Sequence, residues 1–168
     1  RDRLSFLDKF PMEYPVHGTG DFREAALRVR SKEGHKACTL AYASHEIFSG
    51  KKAIQGLPAS FAGEGSCATL EITCRDAHLG MEVVLSYSVF EEEDVIARHV
   101  EVVNRGAEGF CLEKVASMSL DMDNRGFTAL TLHGAWAREC HMQRRALGKG
   151  YQGIVSRRGI SGHQDHPF

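Results

Sequence analysis

The residues able to do chemistry in this chain are its clustered acids, histidines, thiols and glycine turns, and their spacing limits each of them. Glu91-Glu92-Glu93-Asp94 places four acids side by side between two apolar runs. That is the pattern of a solvated hairpin tip, not of a general acid facing a general base. Asp121 and Asp123 sit at the end of an apolar run and read as turn residues. Gly18-Thr19-Gly20-Asp21 lacks the third glycine of a dinucleotide loop and the Lys-Ser/Thr of a P-loop, so a tight turn is expected there. His163-Gln164-Asp165-His166, and Cys140-His141 with His133, bring potential ligands together without the paired spacing of a structural zinc site. No Gly-x-Ser-x-Gly elbow occurs. The expectation is therefore no catalytic residue, no metal and no cofactor.

The five cysteines form no C-x-x-C pair. Cys38, Cys74 and Cys111 fall inside apolar-alternating runs, where cysteine acts as a small buried hydrophobe. Free thiols in a reducing, cytoplasmic compartment are expected. The formal net charge of −1 gives no reason to expect nucleic acid as a partner, and Arg144-Arg145 and Arg157-Arg158 are too sparse for a phosphate track. No apolar run approaches the ~20 residues that a membrane span needs.

The elements that must position these groups have period two. Ala68, Leu70, Ile72 and Cys74 alternate with Thr69, Glu71, Thr73 and Arg75. Met81, Val83, Leu85, Tyr87 and Val89 form a second run, Asp94 to Asn104 a third, and Phe110, Leu112, Ala116, Met118 and Leu120 a fourth. Leu130 and Leu132 mark a fifth. Polar turns containing Gly80, Gly106 and Gly126 separate them. Strands at short regular spacing predict an all-β fold, an antiparallel β-sandwich. Phe22, Ala25, Ala26 and Val29 are the exception: their spacing and the Glu24-Ala25-Ala26-Leu27 propensity slightly favour helix, although Leu27 and Val29 also alternate with Arg28 and Arg30.

Phe10-Pro11-Met12-Glu13-Tyr14-Pro15-Val16-His17-Gly18-Thr19-Gly20-Asp21-Phe22-Arg23 resembles the opening signature of family 36 glycoside hydrolases. Further blocks follow in the family's order: Gly56-Leu57-Pro58-Ala59, Asp94-Val95-Ile96-Ala97-Arg98, Gly134-Ala135-Trp136-Ala137-Arg138-Glu139 and Gly162-His163-Gln164. The resemblance covers nearly the whole chain. It implies that residues 1–168 are part of an N-terminal β-supersandwich of the galactose mutarotase type, and it reverses the helical reading of Phe22–Val29. It also implies a parent α-galactosidase that cleaves melibiose, raffinose or stachyose with retention. Retention needs two carboxyls roughly 5 Å apart; the resemblance puts both on a (β/α)8 barrel beyond Phe168. Galactose transfer, or action on N-acetylgalactosamine, stays open as the parent activity.

The same resemblance implies partners and sites. Family tetramers set an N-terminal segment beside a neighbouring barrel mouth, which makes Asp21, Phe22 and Arg23 candidates for the rim of a neighbouring subunit's α-galactoside site. Arg23 has a second reading, an ion pair within its own domain. Trp136, Arg138, Arg144 and Arg145 are candidate interface residues, Trp136 as a buried anchor or else a sugar platform. The expected partners are the chain's own barrel and other copies of itself. A carbohydrate-binding module and a pure assembly domain are the rival readings.

Overall fold

The computed structural model describes residues 10–20, 22–56, 59–63, 65–156, 162 and 164–167. Among them every regular element is a strand and every ladder between strands is antiparallel. The chain divides into two compact units, Arg1–Asp121 and Met122–Phe168.

The first unit has two sheets. One pairs β1 (Leu27–Ser31) with β6 (Phe110–Val115); the other runs in the order β2 (Ala41–Ser49), β3 (Ala68–Asp76), β4 (Met81–Phe90), β5 (Val95–Asn104). Met81, Val83 and Leu85 of β4 are buried in one cluster with Leu27 and Val29 of β1, and Val100, Val102 and Phe110 pack against it. Register explains why these residues share a face: Leu85 lies opposite both Ile72 and Val100, and Val83 opposite both Cys74 and Val102. Side chains from two stacked sheets meeting in one apolar layer make a sandwich core.

Phe22–Val29 is not helical. The Ala26 and Leu27 amides both donate to the Pro15 carbonyl, and the Ala26 carbonyl accepts from the Ala116 amide. Ala25, Ala26, Leu27 and Val29 are all buried, so tertiary pairing overrides a weak local helix preference. β6 stops at Val115, short of the expected run to Leu120, because the chain leaves the ladder once Ala116 has bonded to Ala26. Cys38 is buried as expected, whereas Cys111 is exposed: the two-stranded β1–β6 sheet covers only one of its faces, and Cys111 lies on the other, opposite Arg30.

Two expected turns are observed. Glu91–Asp94 is an exposed four-residue turn between β4 and β5, with Asp94 at φ 52°. Gly18 and Gly20 take φ of 97° and 82°, and a Cβ on Gly18 would stand 2.7 Å from the Ala37 Cα. Only glycine fits that close approach.

The second unit is a three-stranded sheet in the order β8 (Arg138–Ala146), β7 (Thr128–Ala135), β9 (Asp165–Pro167). β2 and β8 have no counterpart in the sequence pattern. Both are sheet edges, and nearly every residue of both is exposed, so neither carries an apolar alternation.

Leu27 is fully buried. Truncation of Leu27→Ala is expected to destabilise the first unit by about 2–5 kcal/mol. Urea unfolding followed by circular dichroism measures this, with a lower midpoint and an unchanged slope as the expected result.

Candidate functional site

The family-like segment 10–23 does not form a strand of its own. It is strapped across the first unit by backbone and side-chain bonds. Val16 bridges Leu27 in parallel, the Cys38 amide donates to the His17 carbonyl, and Tyr14 and Val16 are buried. The Tyr14 hydroxyl donates to the Ala116 carbonyl at 2.7 Å. Burial pushes the Tyr14 phenol up to about 12, against the opposing pull of the Arg98 charge.

Arg98 is the second fastening. Its guanidinium donates to Glu13 Oε1 at 2.7 Å, to the Ser119 carbonyl at 3.1 Å and to the Tyr87 hydroxyl at 3.1 Å, and it lies 4.6 Å from the centre of the Tyr87 ring. The Tyr87 hydroxyl donates to the same Glu13 oxygen at 2.6 Å. Burial, reinforced by the Glu13 carboxylate, raises the Tyr87 phenol above its ordinary range. Arg98 and Tyr87 are register partners on β5 and β4, which is why one acid can hold both.

Asp121 closes the strap. It is not a simple turn residue: Oδ2 accepts from the Met12 amide at 3.1 Å and from Arg23, whose guanidinium also donates to the Phe10 carbonyl at 2.8 Å. The structure therefore gives Arg23 the intradomain ion pair, with its side chain 18% exposed. Its neighbour Phe22 is 99% exposed. Phe10, Met118 and Leu120 are exposed as well, so an anchored Arg23–Asp121 pair is bordered by apolar side chains. Asp21 lies outside the described residues.

In the second unit, Trp136 and Ala137 form a two-residue turn between β7 and β8. Trp136 is 87% exposed at its tip, and Arg138, Arg144 and Arg145 follow on the exposed edge strand. Ala137 takes φ 62°, and its amide donates to Glu139 Oε1 at 2.9 Å. Gly134 permits this tight closure, since a Cβ there would collide with the Arg138 carbonyl oxygen. The hairpin thus brings Trp136 and Arg138 together, with Arg144 and Arg145 further along the strand. His163 lies outside the described residues, and no three His, Cys, Asp or Glu among the described residues are grouped to hold a metal.

The Glu13–Arg98–Tyr87 group and Asp121 were not singled out as site residues by the sequence reading. A signal exists for Arg98. It shares strand parity with Val100 and Val102, so it is a lone charge on a core-facing row.

The comparisons with known proteins agree with this architecture. Residues 1–168 match the family model for the glycosyl hydrolase family 36 N-terminal domain. The bifunctional alpha-galactosidase/sucrose kinase AgaSK of Mediterraneibacter gnavus is 42% identical over 166 residues, covering 99% of this chain and 18% of that protein. Alpha-galactosidase AgaA of Geobacillus stearothermophilus is 40% identical over 168 residues, which is 99% of this chain and 23% of the enzyme. The crystal structure of AgaA superposes with a TM-score of 0.91 over 95% of this chain and 22% of its own. Variants of that enzyme have been solved with raffinose and with stachyose. The chain belongs to the glycoside hydrolase family 36 N-terminal domain family, a β-sandwich domain, and it spans about a fifth of the length of these relatives.

Two outcomes follow from the strap. Asp121→Ala leaves the Met12 amide without its acceptor, and its hydrogen-exchange protection is expected to fall well below that of the β4 amides. Tyr14 contributes stability that is complete below pH of about 10 and is lost as pH rises through about 12, because burial disfavours the ionised phenol, which also cannot donate to Ala116. Cys38 is also raised to about 12, mainly by burial, so the chain as a whole weakens in that range. Tyr14→Phe is expected to lower stability at neutral pH and to flatten the alkaline loss, as read from urea midpoints between pH 8 and pH of about 12.

Proposed function

We propose that this chain is the non-catalytic front domain of an α-galactosidase, with roles in subunit assembly and in shaping the rim of an active site. The observation that carries the reading is the match of its full length to a family model for the N-terminal domain alone. The relatives named alpha-galactosidases are roughly four to five and a half times as long as this chain, which supports placing the catalytic carboxylates in another part of such a polypeptide. The parent reaction would be hydrolysis of terminal α-galactosyl residues from raffinose-type oligosaccharides. The related Geobacillus enzyme, solved with raffinose and stachyose, supports that substrate class. Retention would require its two carboxyls at roughly 5 Å.

Within this role the division of labour is Arg23 as a fixed post and Phe22 as the presented group. Arg23 spends its donors on Asp121 and the Phe10 carbonyl, which fixes the backbone beside it. Phe22, almost fully exposed, offers an apolar face to a sugar ring or to the loop of a neighbouring barrel. Trp136 with Arg138 on the second unit supplies the composition of an interface anchor, to another copy or to the chain's own barrel.

The purified chain is expected to release no galactose from an aryl α-galactoside, and turnover by it would overturn the reading. In the full-length enzyme, Phe22→Ala is the cleaner rim test, because an exposed side chain can be removed without loosening the strap. A KM for raffinose raised about three- to tenfold, with the oligomer intact in sedimentation, is the expected result. Unchanged kinetics would leave assembly as the domain's role.

A further inference from the structure

One end of the sandwich in the first unit opens into a cleft of about 320 Å³. Three connections meet there: the stretch after β1, the turn between β3 and β4, and the loop between β5 and β6. Phe110 is the register partner of Ser31, which is buried on the same row of β1 as Leu27 and Val29. Leu79 and Phe110 both line the cleft and both pack against the core cluster, so its inner part is hydrocarbon. The groups around its mouth are polar and exposed: Lys32, Glu33 and His35 from the first connection, His78 from the second and Glu108 from the third.

The cleft is preformed, because each connection is tied down. The Ser31 amide donates to the His35 carbonyl at 2.8 Å, and the His35 amide to Ser31 Oγ at 3.2 Å. Asp76 Oδ1 accepts from the His78 and Leu79 amides, both at 2.9 Å, while Oδ2 accepts from the Thr39 amide at 2.7 Å. The Arg105 amide donates to the Gly80 carbonyl at 2.8 Å, and Asn104 Nδ2 to the Glu108 carbonyl at 2.9 Å. Lys32 and Glu108 join two of the connections by an ion pair at 3.0 Å. The Glu33 amide and the Ser31 hydroxyl hold the Glu33 carboxylate below its usual range. The imidazoles of His35 and His78 make no hydrogen bond among the described residues.

This set of groups selects among ligands. An anion would face Glu33 and Glu108, and a cation would face Lys32. No three His, Cys, Asp or Glu among the described residues are grouped to hold a metal ion. A neutral polyol meets neither obstacle, because each hydroxyl both donates and accepts. Carboxylates accept from it, and imidazoles do either. The hydrocarbon at Leu79 and Phe110 suits the C–H face of a ring. A cavity of roughly 150 Å³ accepts a benzene ring, so a pyranose-sized body has room here. We propose that this cleft binds one neutral polyhydroxylated ring, such as a monosaccharide unit, with its hydroxyls on Glu33, His35 and His78 and its C–H surface on Leu79 and Phe110. The site uses none of the residues of the Phe22–Arg23 rim and does not depend on that reading.

The test is a titration of the isotopically labelled chain with methyl α-galactoside, methyl α-glucoside, sodium acetate and methylammonium chloride at constant ionic strength, followed through the amides of Gly34, His78, Leu79 and Gly109. Saturable shifts centred on these amides are expected for at least one glycoside, with a Kd of about 1–20 mM, and none for the two salts. The better-bound glycoside tells which ring stereochemistry the cleft prefers. His78→Ala and Glu33→Gln are each expected to weaken binding about fivefold or more. Both side chains are exposed, and an unchanged amide pattern away from the cleft checks that the fold is kept. Phe22→Ala keeps the affinity, which separates this site from the rim. The proposal is overturned by the absence of saturable shifts at about 100 mM glycoside, by shifts that survive both cleft substitutions, or by shifts that Phe22→Ala abolishes. Binding of acetate or methylammonium in place of the glycosides also overturns it, since the cleft then reads charge.

Discussion

Arg98 stands on the core-facing row of β5, and a guanidinium there must find acceptors or destabilise the sheet that holds it. It finds them in Glu13, the Ser119 carbonyl and the Tyr87 hydroxyl, with the Tyr87 ring stacked against it. Those partners come from three distant parts of the chain. The amino-terminal strap, the central sheet and the stretch leaving β6 are therefore fixed to one another by a single side chain. A lysine could not replace it, because one ammonium cannot span three acceptors in that planar arrangement.

The Met12–Asp121 and Tyr14–Ala116 bonds extend this fastening to either side of Glu13, and the Arg23–Asp121 pair ties down the later end of the strap. Phe22 is consequently displayed from a rigid base, although the residues around it form no regular element. The proposed contact of Phe22 with a sugar or a neighbouring loop would gain from such a base, since little ordering would remain to be done on contact.

Much of the first unit was legible in the sequence. β3, β4 and β5 were legible because each sends an apolar row to the common core, Ile72 from β3, Met81, Val83 and Leu85 from β4, Val100 and Val102 from β5, although Glu82, Ser86 and Ser88 on the other row of β4 are buried as well. β2 and β8 were not legible, because an edge strand wet on both faces has no period-two signature. The helical reading of Phe22–Val29 failed since the Pro15 carbonyl, far away in local sequence terms, takes the amides that a helix would have used internally. The same limit hid the partner of Arg23: its loop position was readable, but the acid that engages it lies 98 residues further on. The interface candidates Trp136 and Arg138 were recognised by residue type alone, and the hairpin that unites them depends on the clearance at Gly134.

β2 also bears on how the protein behaves at high concentration. It is a nine-residue edge with exposed Tyr42 and Ile47, the sort of free border to which another chain's backbone can add. Lys52 reaches over the outer side to Glu46 and Glu71, and charge there discourages such stacking on one surface only. During refolding, this border, like that of β8, is one from which fibrillar or amorphous precipitate would grow.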